Sequence, residues 1–169
     1  MTQTENDIMQ WLYDTVLGQA IRDSTWMFPS LETVHFIGLS LLMGSMLIVD
    51  LRLLGIMRDY PIRHALAFLP WAIFGFVLNT FSGIGFVAAD PFMYWPNPAF
   101  RLKMYMILLA GLNAAVFTIL EHRKVAGFGV GEETNTFTKV SAGLSLGLWI
   151  FIIILGRSLP TFEGSMTFF

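Results

Sequence analysis

Four long stretches of the chain are apolar almost without interruption, and short polar segments marked by proline or glycine separate them. A helix needs roughly 20 mostly apolar residues to cross about 30 Å of hydrocarbon. The stretches at 30–54, 62–89, 100–120 and 139–159 meet that requirement, so each is predicted to be a transmembrane helix. The expected fold is therefore all-α: a single domain over residues 1–169, built as a four-helix transmembrane bundle. The spans end where breakers cluster, from Gly55 to Pro61, from Asp90-Pro91 to Pro98 and from Glu121 to Thr138. Within the second span, Pro70 predicts a kink.

Ahead of the first span, Ile8, Trp11, Leu12, Val16 and Ile21 recur at helical spacing, with Asp7, Asp14, Gln19 and Arg22 between them. This pattern predicts an amphipathic helix over 6–22, either lying in the membrane interface or packed on the end of the bundle. Residues 1–7 are acidic and polar, unlike the basic start of a cleavable signal, so insertion is expected to fall to the first span. The aromatic, proline-rich segment from Asp90 to Pro98 suits headgroup depth.

An even number of spans places both termini on one side, called side A. Its Lys and Arg are Arg22, Arg101, Lys103 and Arg157; side B carries Arg52, Arg58, Arg63, Arg123, Lys124 and Lys139. Six against four predicts side B in the cytoplasm and both termini in the periplasm, for a multi-pass protein of the bacterial inner membrane. The composition agrees: 55% hydrophobic and 13% charged, against about 25% charged in soluble domains. A net charge of −2 offers no electrostatic case for nucleic acid, and the absence of Cys excludes disulfides, iron–sulfur clusters and thiolate zinc sites.

Small residues mark places where helices can approach: Ser40 and Gly44, Gly83 and Gly85, and the GxxxG of Gly143 and Gly147. The last pair predicts tight packing within the subunit or a homo-oligomer face. Asn79 and Asn113, near mid-span, are expected to hydrogen-bond between helices. Gly127-x-Gly129-x-Gly131 lacks the strand and lysine of a phosphate loop and reads as a flexible connector, with 132–136 starting the next helix. There is no Ser-His-Asp set and no HExxH, so hydrolytic chemistry has no support.

Ionisable groups inside spans are costly and mark functional sites. Glu32 and His35 share a face of the first span; Lys103 lies one turn into the third span and Arg157 at the side-A end of the fourth. All four fall at one depth. An imidazole with nearby cations suits a metalloporphyrin, with His35 on the iron and the cations on the propionates. The competing reading is a buried ion network in which Glu32 pairs with Lys103 or Arg157 and His35 bonds to it. A di-iron bundle needs Glu-x-x-His from two helices plus further inward carboxylates, and this chain supplies one copy, so a di-iron site is not expected. On side B, His64 and His122 form a candidate second haem-ligand pair, or simply sit among headgroups. Met43, Met46, Met104 and Met106 are candidate Cu(I) or axial ligands, or apolar filler.

Trp26-x-x-Pro29-x-x-Glu32-x-x-His35-x-x-Gly38, Asp50-Leu-Arg-Leu-Leu-Gly55, Asp90-Pro91 and Phe100-x-x-Lys103 together resemble an uncharacterised family of small bacterial four-helix membrane proteins, over nearly the whole chain. More distantly, the early His and later Lys are similar to those of HemJ-type protoporphyrinogen oxidases and CopD-type copper-resistance membrane proteins. The first likeness implies haem b associated with His35 and Lys103; the second makes copper the alternative. The reading that follows is a haem b-binding redox protein with an unidentified redox partner. It would act in electron transfer, or as an oxidoreductase on a quinol or porphyrinogen. His35 is the axial ligand, Lys103, Arg101 and Arg157 the propionate partners, and Glu32 the residue orienting His35. The alternatives are a copper-handling or transport protein and a cofactor-free structural or assembly subunit.

Overall fold

The computed structural model describes residues 2–159, all of its regular structure helical. The helices are α1 (Gln3–Tyr13), α2 (Val16–Asp23), α3 (Met27–Leu53), α4 (Ile62–Leu66), α5 (Leu69–Ala89), α6 (Pro91–Tyr94), α7 (Pro98–Leu120), α8 (His122–Val125) and α9 (Thr136–Ser158). Four segments are long and apolar enough to cross a membrane: α3, α4 with α5, α7 and α9. The chain is an all-α multi-pass membrane protein. Spans one, three and four start two or three residues earlier than hydropathy predicts, and in spans three and four the capping side chain lies outside the apolar run. Asn97 accepts from the backbone N–H groups of Ala99 and Phe100, and Asn135 from that of Thr138.

The second span breaks rather than bends. Pro70 has no N–H and its ring crowds the carbonyl four residues earlier, that of Leu66. The chain accordingly leaves helix after Leu66 and restarts at Leu69, with Pro70 in the first turn of α5.

α3 packs against α5 on one side and α9 on the other, and α9 packs against α7; α5 and α7 barely touch. The closest approach lies between α3 and α5. A Cβ on Gly38 would stand 2.9 Å from the Gly75 carbonyl oxygen, and one on Gly75 would stand 2.6 Å from that of Gly38. This crossing is not among the small-residue pairs expected from spacing. Of those, Gly85 receives Leu31, whereas added Cβ atoms at Gly44, Gly83 and Gly147 would meet nothing, and Gly143 would meet only Leu54 at 3.8 Å. The Gly143/Gly147 strip thus faces outward and does not hold the subunit together. α7 and α9 are joined by a reciprocal clamp: Asn113 Nδ2 donates to the Ser141 carbonyl and Ser141 Oγ donates to Asn113 Oδ1, both at 3.0 Å.

The predicted 6–22 helix is two helices. Asp14 caps the end of α1, and Thr15 Oγ1 accepts from the Gly18 N–H to start α2. α2 sits on the end of α5, where a Cβ on Gly18 would fall 2.4 Å from the Ala88 oxygen. Arg22 donates to the Ala89 and Tyr13 carbonyls at 3.1 and 2.6 Å, with its guanidinium over the Tyr13 ring. The outer face keeps Ile8, Trp11, Val16 and Leu17 exposed, so the pair caps the bundle and keeps an apolar outer face.

On side B the glycine-rich loop is pinned, contrary to the flexible connector expected. Arg52, fully buried at the end of α3, donates to the carbonyls of Tyr60, Gly129 and Glu132. Gly131, at φ +81°, donates to the Arg58 carbonyl at 3.0 Å, and Thr134 Oγ1 donates to the Leu53 carbonyl at 2.6 Å. Glu121, also buried, accepts from Lys124 (2.8 Å), Asn135 (2.7 Å) and Thr138 (3.2 Å). Those donors, Lys124 first, hold its carboxyl below the ordinary range.

Candidate functional site

α3 and α5 meet closely enough at Gly38 and Gly75 for polar side chains one turn nearer side A to reach across. Asn79 Nδ2 donates to the His35 carbonyl at 2.9 Å, and His35 Nδ1 lies 2.8 Å from Ser82 Oγ. Ser82 Oγ also lies 2.7 and 3.1 Å from the carbonyls of Leu78 and Asn79. When the hydroxyl donates to its own helix, its oxygen accepts from His35 Nδ1–H. Nε2 has no hydrogen-bond partner among the described residues. The Phe86 ring, 5.3 Å centroid to centroid, walls the imidazole, and Phe28 continues that wall 5.5 Å beyond Phe86.

Lys103 enters from α7. It is half-buried and lies within electrostatic reach of His35. A Cβ at Gly156 would be 3.3 Å from its Nζ, so the glycine makes room for the ammonium group. No hydrogen bond or ion pair engages Lys103 among the described residues. His35 of α3 and an unpaired cation of α7 therefore lie toward the same end of the bundle. Deeper in, Trp149 of α9 meets Phe76 of α5, the rings 6.2 Å apart.

The ion network weighed as the alternative does not form: Glu32 is exposed and bonds neither His35, Lys103 nor Arg157 among the described residues. Ser82, rather than Glu32, orients His35. The physical reason is direction: the His35 ring turns toward α5, while the Glu32 carboxyl stays outside the helix contacts. Arg157 is exposed at the side-A end of α9. Arg101 is exposed too, its Nε donating to the Trp95 carbonyl at 3.0 Å and its Nη2 facing Glu5 at 3.5 Å. His64 is exposed on α4 beside Tyr60, and His122 starts α8 with its ring edge on Phe117 and a buried Nδ1 lacking a partner. No hydrogen bond or ring contact joins the two histidines among the described residues.

Met106 packs into the side-A cluster of Ala99, Leu155 and Leu159, whereas Met104 is exposed. No group of three or more His, Cys, Asp or Glu gathers among the described residues. Spacing within one span could not reveal Ser82, Phe86 or Gly156 as neighbours of the site. The one signal was Asn79 and Ser82, polar and three residues apart in an apolar run, and hence on one face of α5. No family model, curated protein or solved structure matches the chain.

Proposed function

We propose that this protein is a membrane-embedded redox protein that binds haem b, with His35 Nε2 as an axial ligand. The observation that carries the reading is the setting of His35: its Nδ1 is held by Ser82, and its Nε2 has no hydrogen-bond partner among the described residues at the bundle end that also holds Lys103. A ligating histidine needs its second ring nitrogen anchored in this way, and a propionate-bearing macrocycle needs a cation without a partner of its own.

The donor set fits the group. His35 supplies the ligand, Lys103 beside Gly156 the propionate partner, and Arg157 a second cation at the same end; Arg101 is partly committed to Trp95 and Glu5. Phe28 and Phe86 supply an apolar wall. Bound haem would contribute one-electron chemistry. The chain's own part is to orient the imidazole, exclude water and compensate charge. The activity would be electron transfer within the membrane or oxidation of an apolar substrate such as a quinol or porphyrinogen. The protein would sit in the bacterial inner membrane with its termini in the periplasm.

The test is the absorption spectrum of detergent-purified protein, oxidised and dithionite-reduced. Haem bands are expected in the wild-type protein and are expected to vanish in His35→Ala. A colourless wild-type protein expressed with ample haem, or full haem occupancy in the variant, overturns the reading.

A further inference from the structure

A second ionisable group lies inside the membrane, at the opposite end of α3 from His35. Asp50 is 2% exposed and its Oδ2 has no hydrogen-bond partner. The polar side chain facing it is Ser145 of α9, itself buried. Arg52, two residues away, would be the obvious counterion. Residues two apart on a helix point in different directions, and Arg52 turns its Nε and Nη2 to the loop carbonyls of Tyr60, Gly129 and Glu132, its buried Nη1 having no hydrogen-bond partner among the described residues.

Among the described residues no other charge compensates Asp50. The neighbours of α3 are α2, α4, α5 and α9. α5 contains no titratable residue, and α2 carries Arg22 and Asp23 at the far end of the bundle. The Arg63 and His64 side chains of α4 are exposed. On α9, Lys139 is paired with Glu133 at 3.0 Å and Arg157 lies at side A. No charged group acts on the Asp50 carboxyl, and no ion pair to it forms among the described residues. An ionised carboxylate in such a place has neither water nor a counterion, whereas the acid form can satisfy itself with a neutral hydroxyl neighbour.

We propose that Asp50 is a proton-binding site buried between α3 and α9, occupied in the resting protein and exchanging with water on side B. On uptake one proton joins a carboxylate oxygen. On release it returns to water as hydronium, and no electron moves. The proposal is independent of the haem reading, because the site lies at the other end of α3 and uses none of the same side chains.

The experiment is infrared spectroscopy of the full chain in phosphatidylcholine nanodiscs, with 13C-labelled aspartate, over about pH 5 to 9. The other five aspartates, Asp7, Asp14, Asp23, Asp59 and Asp90, are exposed. A protonated-carboxyl band at about pH 6 that carries the isotope shift, moves in D2O and fades at higher pH is the expected result. It should be missing from Asp50→Asn, which should otherwise unfold like the wild type. Absence of the labelled band at about pH 6 overturns the proposal, as does a band that titrates with the exposed carboxyls or that survives in Asp50→Asn. A sodium-dependent thermal shift without that band would identify a bound metal cation instead, and also overturns it. The labelled wild-type measurement decides the matter even if the variant fails to fold.

Discussion

His35 Nδ1 and Ser82 Oγ, 47 residues apart in sequence, stand 2.8 Å apart across the α3–α5 contact. The serine accepts from the imidazole when its own hydrogen goes to the carbonyl of Leu78 or Asn79. Loss of that hydroxyl should therefore free the ring to rotate and change tautomer. In Ser82→Ala, the haem reading expects weaker haem retention, by about 10- to 100-fold as for other supporting contacts of metal ligands. Haem-to-protein ratio through gel filtration measures it. Undiminished retention would remove Ser82 from the orienting role.

Lys103 makes a graded test of charge. Lys103→Met keeps the side chain's length and removes its cation beside Gly156. The expected outcome is reduced haem occupancy with the His35-dependent bands still present, read in the same reduced-minus-oxidised spectra. Complete loss of the bands would assign Lys103 a ligand's role instead.

Two glycine substitutions should behave oppositely. Gly75→Ala forces a methyl group to within 2.6 Å of backbone atoms of Gly38 and Leu42, and backbone cannot step aside as a flexible side chain can. Overpacking of this kind costs about 1–3 kcal/mol. Gly147→Ala meets open space and should stay within about 0.5 kcal/mol of wild type. Unfolding by SDS in mixed micelles compares them. A large effect at Gly147 accompanied by a smaller particle would reveal an oligomer built on that face.

Arg52→Ala removes the donors that hold both side-B loops to the end of α3. Hydrogen bonds to a charged group contribute about 1.5–3 kcal/mol each, so a marked loss of stability is expected. The same variant should expose 127–135 to proteolysis, which mass spectrometry of the first cleavage products would locate. Cleavage confined elsewhere would contradict the pinning role.

Glu121 gives side B a pH dependence. Its carboxyl is held below its ordinary value of 4.5 by Lys124, Asn135 and Thr138. A carboxyl depressed on folding stabilises the fold fully above its unfolded value, and that stabilisation is lost as pH falls through the folded value. Thermal stability should therefore fall as pH drops below about 4.5, with a smaller acid-side loss in Glu121→Gln. Identical acid profiles for the two proteins would count against the clamp.

Much of the architecture was legible because lipid imposes one dominant rule. A backbone in hydrocarbon must satisfy its own hydrogen bonds, so length and apolarity suffice to locate α3, α5, α7 and α9. Pro70 was legible as a disturbance, though the clash at Leu66 turned the kink into a break. His35 and Lys103 stood out for the same reason: charge at that depth is expensive. Helix partners are another matter, since lipid contacts any apolar face as readily as another helix does. Nothing local distinguishes Gly38 and Gly75, which pack, from Gly143 and Gly147, which do not. Only the tertiary arrangement chose Ser82 over Glu32 for the imidazole and turned Arg52 away from Asp50. Sequence determined which groups are buried in the membrane; the crossings of α3 with α5 and α9 decided which of them meet.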